Sequence, residues 1–202
     1  MKPRLIVEQK ITILVNRYEI YSVKDDGTKD AMIAFAEQKR LAFKEKVGFY
    51  TDAAKQNLAF TFRAEKVMDV HGKYFVEDPD GNLLGTFKKE FGKSLLNSTW
   101  DILDNDDQPL IIISESNQFL AIARRFAGWI PFIGDFLDIL TNFFRYHFSF
   151  RRAGSENEVG MYSKTTLFRD FYRLDMSDEA YELRDWRVYA AMAVALDALQ
   201  SR

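Results

Sequence analysis

Residues Val188 to Leu196 read V-Y-A-A-M-A-V-A-L, nine apolar side chains without a polar break. Wound at helical period, this run is apolar on every face, and such a helix must be surrounded by protein. Asp185 stands where it can cap the helix, Arg184 and Arg187 flank its start, and Asp197 and Arg202 lie near its end. A helix over about 185–201 is about 25 Å long at ~1.5 Å per residue. The run falls short of the ~20 consecutive apolar residues that a bilayer span requires. Two enclosures are open: a β-sheet wrapped around the helix, or one face of an ordinary sheet. The second usually leaves a polar stripe, and Val188 to Leu196 has none.

The remainder of the chain is strand-rich and repeats one phrase: aromatic, x, aliphatic, x, Asp, then a turn. Tyr21-Ser22-Val23-Lys24-Asp25-Asp26-Gly27, Tyr74-Phe75-Val76-Glu77-Asp78-Pro79-Asp80-Gly81 and Trp100-Asp101-Ile102-Leu103-Asp104-Asn105-Asp106-Asp107 are three copies. Looser ones begin at Phe148 and Tyr172. Alternation running into an Asp/Asn/Gly cluster is a hairpin signature, because those residues tolerate positive φ or bond back to the local backbone. Tyr74 to Trp100 is 26 positions and Tyr21 to Tyr74 is 53, about twice that. Trp100 to Phe148 is 48, one repeat plus an insertion. Further strands are expected over 5–15, 31–37, 41–50, 58–63, 83–88, 110–114 and 158–162. About a dozen short strands at this spacing point to an antiparallel sandwich or closed barrel. A closed barrel of that size has a lumen to fill, and the apolar helix is the available filling.

The 202 residues are 47% apolar and 15% aromatic, enough for one domain over 1–202 with a substantial core. Lys and Arg number 28 against 30 Asp and Glu, a net charge of −2, which does not favour nucleic acid as a partner. The absence of cysteine removes disulfides, thiol catalysis and thiolate metal sites, and fits a reducing cytosol. The N-terminal residues show no signal-peptide core, so a cytoplasmic location, peripheral to membranes where lipid is bound, is expected.

Three stretches together resemble the LURP-one-related family. They are Gly81-Asn82-Leu83-Leu84-Gly85-Thr86-Phe87-Lys88-Lys89, Ser94-Leu95-Leu96-Asn97-Ser98-Thr99-Trp100-Asp101-Ile102, and D-W-R-V-Y-A-A-M-A-V-A-L-D-A-L-Q over Asp185 to Gln200. That family belongs to the group sharing the tubby C-terminal fold, with phospholipid scramblases as neighbours. The resemblance implies a mainly β domain: a twelve-stranded antiparallel closed barrel around a central C-terminal helix. It also implies phosphoinositide or membrane-lipid binding as the nearest functional precedent. The calcium-binding loop and cysteine-rich tract of eukaryotic scramblases are absent, and no head-group motif matches residue by residue.

Between the expected strands at 110–114 and near Arg145 lies a helical hairpin insertion, about 117–144. Phe119, Ile122, Ala123 and Phe126 share one helical face, Gly128 and Pro131 break it, and Ile133, Leu137, Leu140 and Phe144 form a second stripe. Two readings stand. The hairpin covers the barrel and its apolar residues are satellite core. Alternatively its tip is exposed, with Trp129, Ile130, Phe132 and Ile133 beside Arg124 and Arg125, a composition suited to anionic lipid or to a protein partner.

Catalytic chemistry finds no support. Gly92-Lys93-Ser94 looks like the end of a phosphate loop, but the motif requires Gly where Phe87 stands. Asp78-Pro79-Asp80-Gly81-Asn82 places its Gly too early for a calcium loop, and no Glu stands at the twelfth position. His71 and His147, the two histidines, read as surface or rim residues without metal or triad spacing. Lys88, Lys89 and Lys93, with Arg151 and Arg152, are basic clusters beside turns and the candidates for an anion or head-group pocket, since a phosphate needs two or three convergent cations. The sequence therefore points to a non-enzymatic module without cofactor or metal. It binds membrane phospholipid or anionic head groups, or it docks or self-associates through the apolar hairpin. The hairpin readings part on the double variant Trp129→Ser, Phe132→Asp. An exposed tip predicts an unchanged melting temperature with lost vesicle or partner association, whereas a clear fall in melting temperature assigns the residues to core.

Overall fold

A computed structural model describes residues 4–11, 15–39, 46–65, 72–90, 99–115, 147–165 and 171–200. Twelve antiparallel strands close into one barrel in which every strand pairs with its neighbours in sequence and the first pairs with the last. They are β1 (Leu5–Ile11), β2 (Val15–Val23), β3 (Lys29–Lys39), β4 (Lys46–Tyr50), β5 (Leu58–Ala64), β6 (Lys73–Glu77), β7 (Leu83–Glu90), β8 (Thr99–Leu103), β9 (Pro109–Glu115), β10 (Phe148–Arg152), β11 (Glu158–Lys164) and β12 (Phe171–Met176). A short helix α1 (Asp178–Leu183) then leads into α2 (Trp186–Gln200). The barrel and its C-terminal helix agree with the sequence reading. The expected strand over 5–15 is instead two elements, since Val15 opens β2. The insertion at about 117–144 lies outside the described residues, but the strand ends flanking it, Glu115 and Phe148, are register partners.

The repeat has a physical basis in the hairpin turns. Asp52, Asp78 and Asp104 are spaced by 26 residues. Asp78 Oδ1 accepts from the backbone N–H of Asp80 at 3.0 Å and of Asn82 at 2.8 Å. Asp104 Oδ1 accepts in the same way from Asp106 at 2.9 Å and Gln108 at 2.8 Å. Three residues after each Asp the backbone turns left-handed, at Lys55 (φ 60°), Gly81 (φ 87°) and Asp107 (φ 61°). Asp52 is the copy hidden inside the 53-residue interval. The Tyr21 copy departs from the phrase at its aromatic. β2 alternates in unbroken register with β1 from Asn16 to Ser22, so Tyr18 and Ile20 enter the core and Tyr21 faces out, its hydroxyl donating to Glu19 at 2.6 Å. The β2–β3 register shifts on either side of Tyr21 place their extra residues on β3. The Tyr172 copy is followed by a helix: the Ser177 hydroxyl accepts from Ala180 N–H at 3.2 Å and caps α1.

α2 occupies the lumen. Val188 to Leu196 are all at 0% exposure, so Ala191, Met192, Ala195 and Leu196 meet protein on opposite faces of one helix. Asp185 caps it as expected, its Oδ1 accepting from Arg187 N–H at 2.9 Å. Four of the nine enclosed residues are alanines, and the wall facing them is aromatic. Phe49 stacks on Phe60 at 4.2 Å, Tyr74 on Phe87 at 5.2 Å and Tyr162 on Tyr172 at 5.1 Å between ring centroids. Small side chains on the helix and large ones on the wall interdigitate at the density an interior demands. At Gly85 on β7 the approach is closest: a Cβ there would stand 2.8 Å from a Val188 methyl.

Asp197 is not a solvated charge at the helix end. It is 5% exposed and accepts from Gln9 Nε2 at 2.5 Å, Tyr18 hydroxyl at 2.7 Å and Tyr172 hydroxyl at 3.2 Å. Those donors lie on β1, β2 and β12, around the pair that closes the barrel. Burial, and then the Asp197 charge, push the Tyr18 hydroxyl well above its ordinary pKa, so it remains a donor. Two stability predictions follow from this packing. Ala195→Asp buries a carboxylate among apolar atoms and is expected to abolish cooperative folding, read by loss of the thermal transition. A variant that melts like the parent would contradict enclosure. Asp197→Ala leaves two buried hydroxyls and the half-buried Gln9 amide facing an apolar methyl and is expected to cost about 3 kcal/mol, measured by urea denaturation. An unchanged midpoint would show that the cluster does not hold the seam.

Candidate functional site

The enclosed helix fills the interior, so a ligand must be taken on the outer wall or at a barrel end. Adjacent residues of a strand project to opposite faces, and this separates the cations that are neighbours in sequence. Lys88 faces outward with its Nζ 2.6 Å from Glu90. Lys89 is in register with the buried Trp100, its Nζ 5.5 Å from the centre of that ring, and burial lowers its pKa. Arg151 donates to the Ser114 hydroxyl at 3.0 Å and lies 3.8 Å from Glu156. Arg152 pairs with Glu179 at 2.9 Å. Neither the lysines nor the arginines form a convergent cationic pocket among the described residues. Lys93 and the hairpin residues Arg124, Arg125, Trp129, Ile130, Phe132 and Ile133 lie outside the described residues. His147 is buried, 8% exposed, immediately before β10, in place of the expected surface or rim position. The described residues contain no group of three His, Asp or Glu able to hold a metal.

A different pair of cations does converge. Where β1 begins, β11 begins and β12 ends, an open groove of about 460 Å³ is lined by Arg4, Glu158, Met161, Arg173, Asp175 and Ser177, with Val159, Gly160 and Met176 completing it. Strand alternation sends Tyr172, Leu174 and Met176 into the core and leaves Arg173 and Asp175 outside. Arg173 Nε lies 3.0 Å from Asp175 Oδ1 and 2.9 Å from Oδ2. That contact holds the guanidinium by one edge, and among the described residues its terminal nitrogens carry no hydrogen bond. The β2–β3 turn passes close by: a Cβ on Gly27 would lie 3.9 Å from Arg173 Nη2. Leu5 pairs with Leu174, which sets Arg4 level with Asp175 on the outer face. Among the described residues the Arg4 guanidinium and the exposed Glu158 carboxylate make no hydrogen bond or ion pair. Val159 and Met176 are 1% and 8% exposed and supply an apolar base. The Met176 thioether lies over Gly160, where no Cβ would fit.

The groove opens at the barrel end that carries the tight hairpin turns. Those five turns, 24–28, 51–57, 78–82, 104–108 and 153–157, hold nine carboxylates against two lysines. Of these turns, 24–28 and 153–157 flank the groove, so its two arginines and two carboxylates lie beside Asp25, Asp26 and Glu156.

Sequence reading passed over Arg4, Arg173 and Glu158. The phrase Tyr172-Arg173-Leu174-Asp175 already places Arg173 and Asp175 on one outer face. Arg4 joins them only through the pairing of first and last strands, which no local pattern encodes.

A search of curated proteins returns no significant match. The sequence model of the LURP-one-related family matches residues 32–197, from β3 through Asp197 on the central helix. With that match over most of the chain, and a closed twelve-stranded barrel enclosing its C-terminal helix, the protein belongs to the LURP-one-related family.

Proposed function

We infer that the domain is a non-enzymatic module that binds the phosphate of membrane phospholipid head groups in the Arg4–Arg173 groove, acting as a peripheral protein at a cytoplasmic membrane surface. The observation that carries this reading is the pair of guanidinium edges left without partners among the described residues on one concave surface. Arginine presents planar, forked N–H donors that match phosphate oxygens two at a time. The other outward basic side chains considered, Lys88, Arg151 and Arg152, are already engaged by carboxylates of their own surface. Among the described residues no helix is long and apolar enough to cross a membrane. Family membership supports a tubby-like module and leaves the ligand to the site.

The test is flotation with vesicles of mixed phosphatidylcholine, phosphatidylethanolamine and phosphatidylglycerol, comparing the parent with Arg4→Ala, Arg173→Gln. Both residues project from the outer face, so the melting temperature should hold within a degree or two. The parent is expected to float and the double variant to remain with soluble protein. Equal flotation rejects the groove as the site. A parent that does not float rejects lipid binding and favours the protein-docking reading of the apolar hairpin.

A further inference from the structure

We propose that the groove takes a phosphoethanolamine head group, with the phosphate on Arg4 and Arg173 and the primary ammonium on Glu158. This rests on the phosphate reading above and adds the cationic half of the ligand.

Glu158 opens β11 on the groove that Arg4 and Arg173 line, and its carboxylate has no partner among the described residues. Asp175, the other carboxylate of the groove, is committed to Arg173 Nε. The site thus offers phosphate donors and one available ammonium acceptor within a single concavity. A ligand with phosphate alone would leave Glu158 facing it as a like charge. A zwitterion satisfies both ends.

The acidic turns beside the groove argue the same way. Asp25, Asp26 and Glu156, against Lys24, on the two turns that flank the groove repel a polyanionic head group as it approaches, whereas a ligand of no net charge meets no such barrier. The lining also separates primary from quaternary ammonium. Choline-type cations are held by aromatic faces, and the described residues of the groove include no aromatic side chain. A primary ammonium needs a hydrogen-bond acceptor, which Glu158 is. Met161 and Met176 supply adaptable apolar surface for the carbon linker.

The experiment measures binding of O-phosphoethanolamine, phosphocholine and inorganic phosphate by calorimetry, and of phosphatidylcholine vesicles doped with phosphatidylethanolamine or phosphatidylglycerol by flotation. The proteins are the parent, Glu158→Gln and the double variant Arg4→Ala, Arg173→Gln. Glu158→Gln is expected to weaken O-phosphoethanolamine about fivefold, the scale of an exposed ion pair. It should leave inorganic phosphate bound at least as tightly as by the parent, since a like charge is removed, and erase the preference for ethanolamine-doped vesicles. The double variant should lose all of these ligands. If Glu158→Gln and the parent bind O-phosphoethanolamine equally, or if phosphocholine binds as well, the proposal is overturned even where the arginine variants uphold phosphate recognition. If the double variant binds like the parent, the phosphate reading itself has failed. Binding of soluble O-phosphoethanolamine without vesicle binding would overturn the lipid source and assign the groove to a free phosphomonoester.

Discussion

Enclosure of α2 is the constraint from which the rest of this structure follows. A helix with no polar face loses stability wherever it meets water, and each large side chain withdrawn from water contributes about 1.5–3 kcal/mol. The sheet needs the helix equally. Twelve strands closed into a barrel leave a space that side chains from the wall alone do not fill, and an unfilled interior forfeits dispersion contacts along its whole lining. The alanines of Val188–Leu196 admit the helix between aromatic walls, and Gly85 removes the side chain that would block it. Helix and barrel are thus one cooperative object.

The seam between β1 and β12 carries the second level of organisation, with consequences on both faces of the wall. On the inner face it gathers Gln9, Tyr18 and Tyr172 around Asp197, the one carboxylate within the enclosed part of the helix. A buried charge in an apolar lumen is tolerated only with hydrogen-bond donors arranged around it, and the donors come from strands at opposite ends of the chain. On the outer face the same pairing sets Arg4 beside Asp175 and Arg173. Barrel closure and the candidate site are two products of one strand pair, so a variant that opens the seam would disturb both.

The acidic turns and the groove share one barrel end. The 26-residue period exists because each Asp ties down its own turn through backbone N–H groups. Hydrogen bonding from Asn82 holds the Asp78 carboxyl below its ordinary pKa, and Thr28 does the same for Asp26. These carboxylates are thereby kept ionised as structural parts of the hairpins. Their collective charge then becomes a property of the barrel end that carries the groove, although none was placed there by a ligand.

What could be read from the residues in order was whatever arises from local periodicity: the apolar helix, the Asp-led turns and the approximate number of strands, which left sandwich and barrel open until the helix needing enclosure and the family resemblance favoured the barrel. Those signals are local because helical and strand periods and turn chemistry act over a few residues. Some local signals were misleading because they left the phase of a strand open. Alternation along β2 made Tyr18 and not Tyr21 the inward aromatic, and alternation along β7 parted Lys88 from Lys89, which adjacency in the sequence had joined. Asp197 read as a terminal charge because its three donors are separated from it along the chain. Arg4 and Glu158 carried no motif, and the phrase around Arg173 placed it beside Asp175 alone. Their convergence depends on the pairing of β1 with β12 and of β11 with β12, and long-range strand pairing is decided by the closing of the whole sheet around its helix. The sequence by itself determined the elements and the need for enclosure; the tertiary structure decided which distant side chains share a surface.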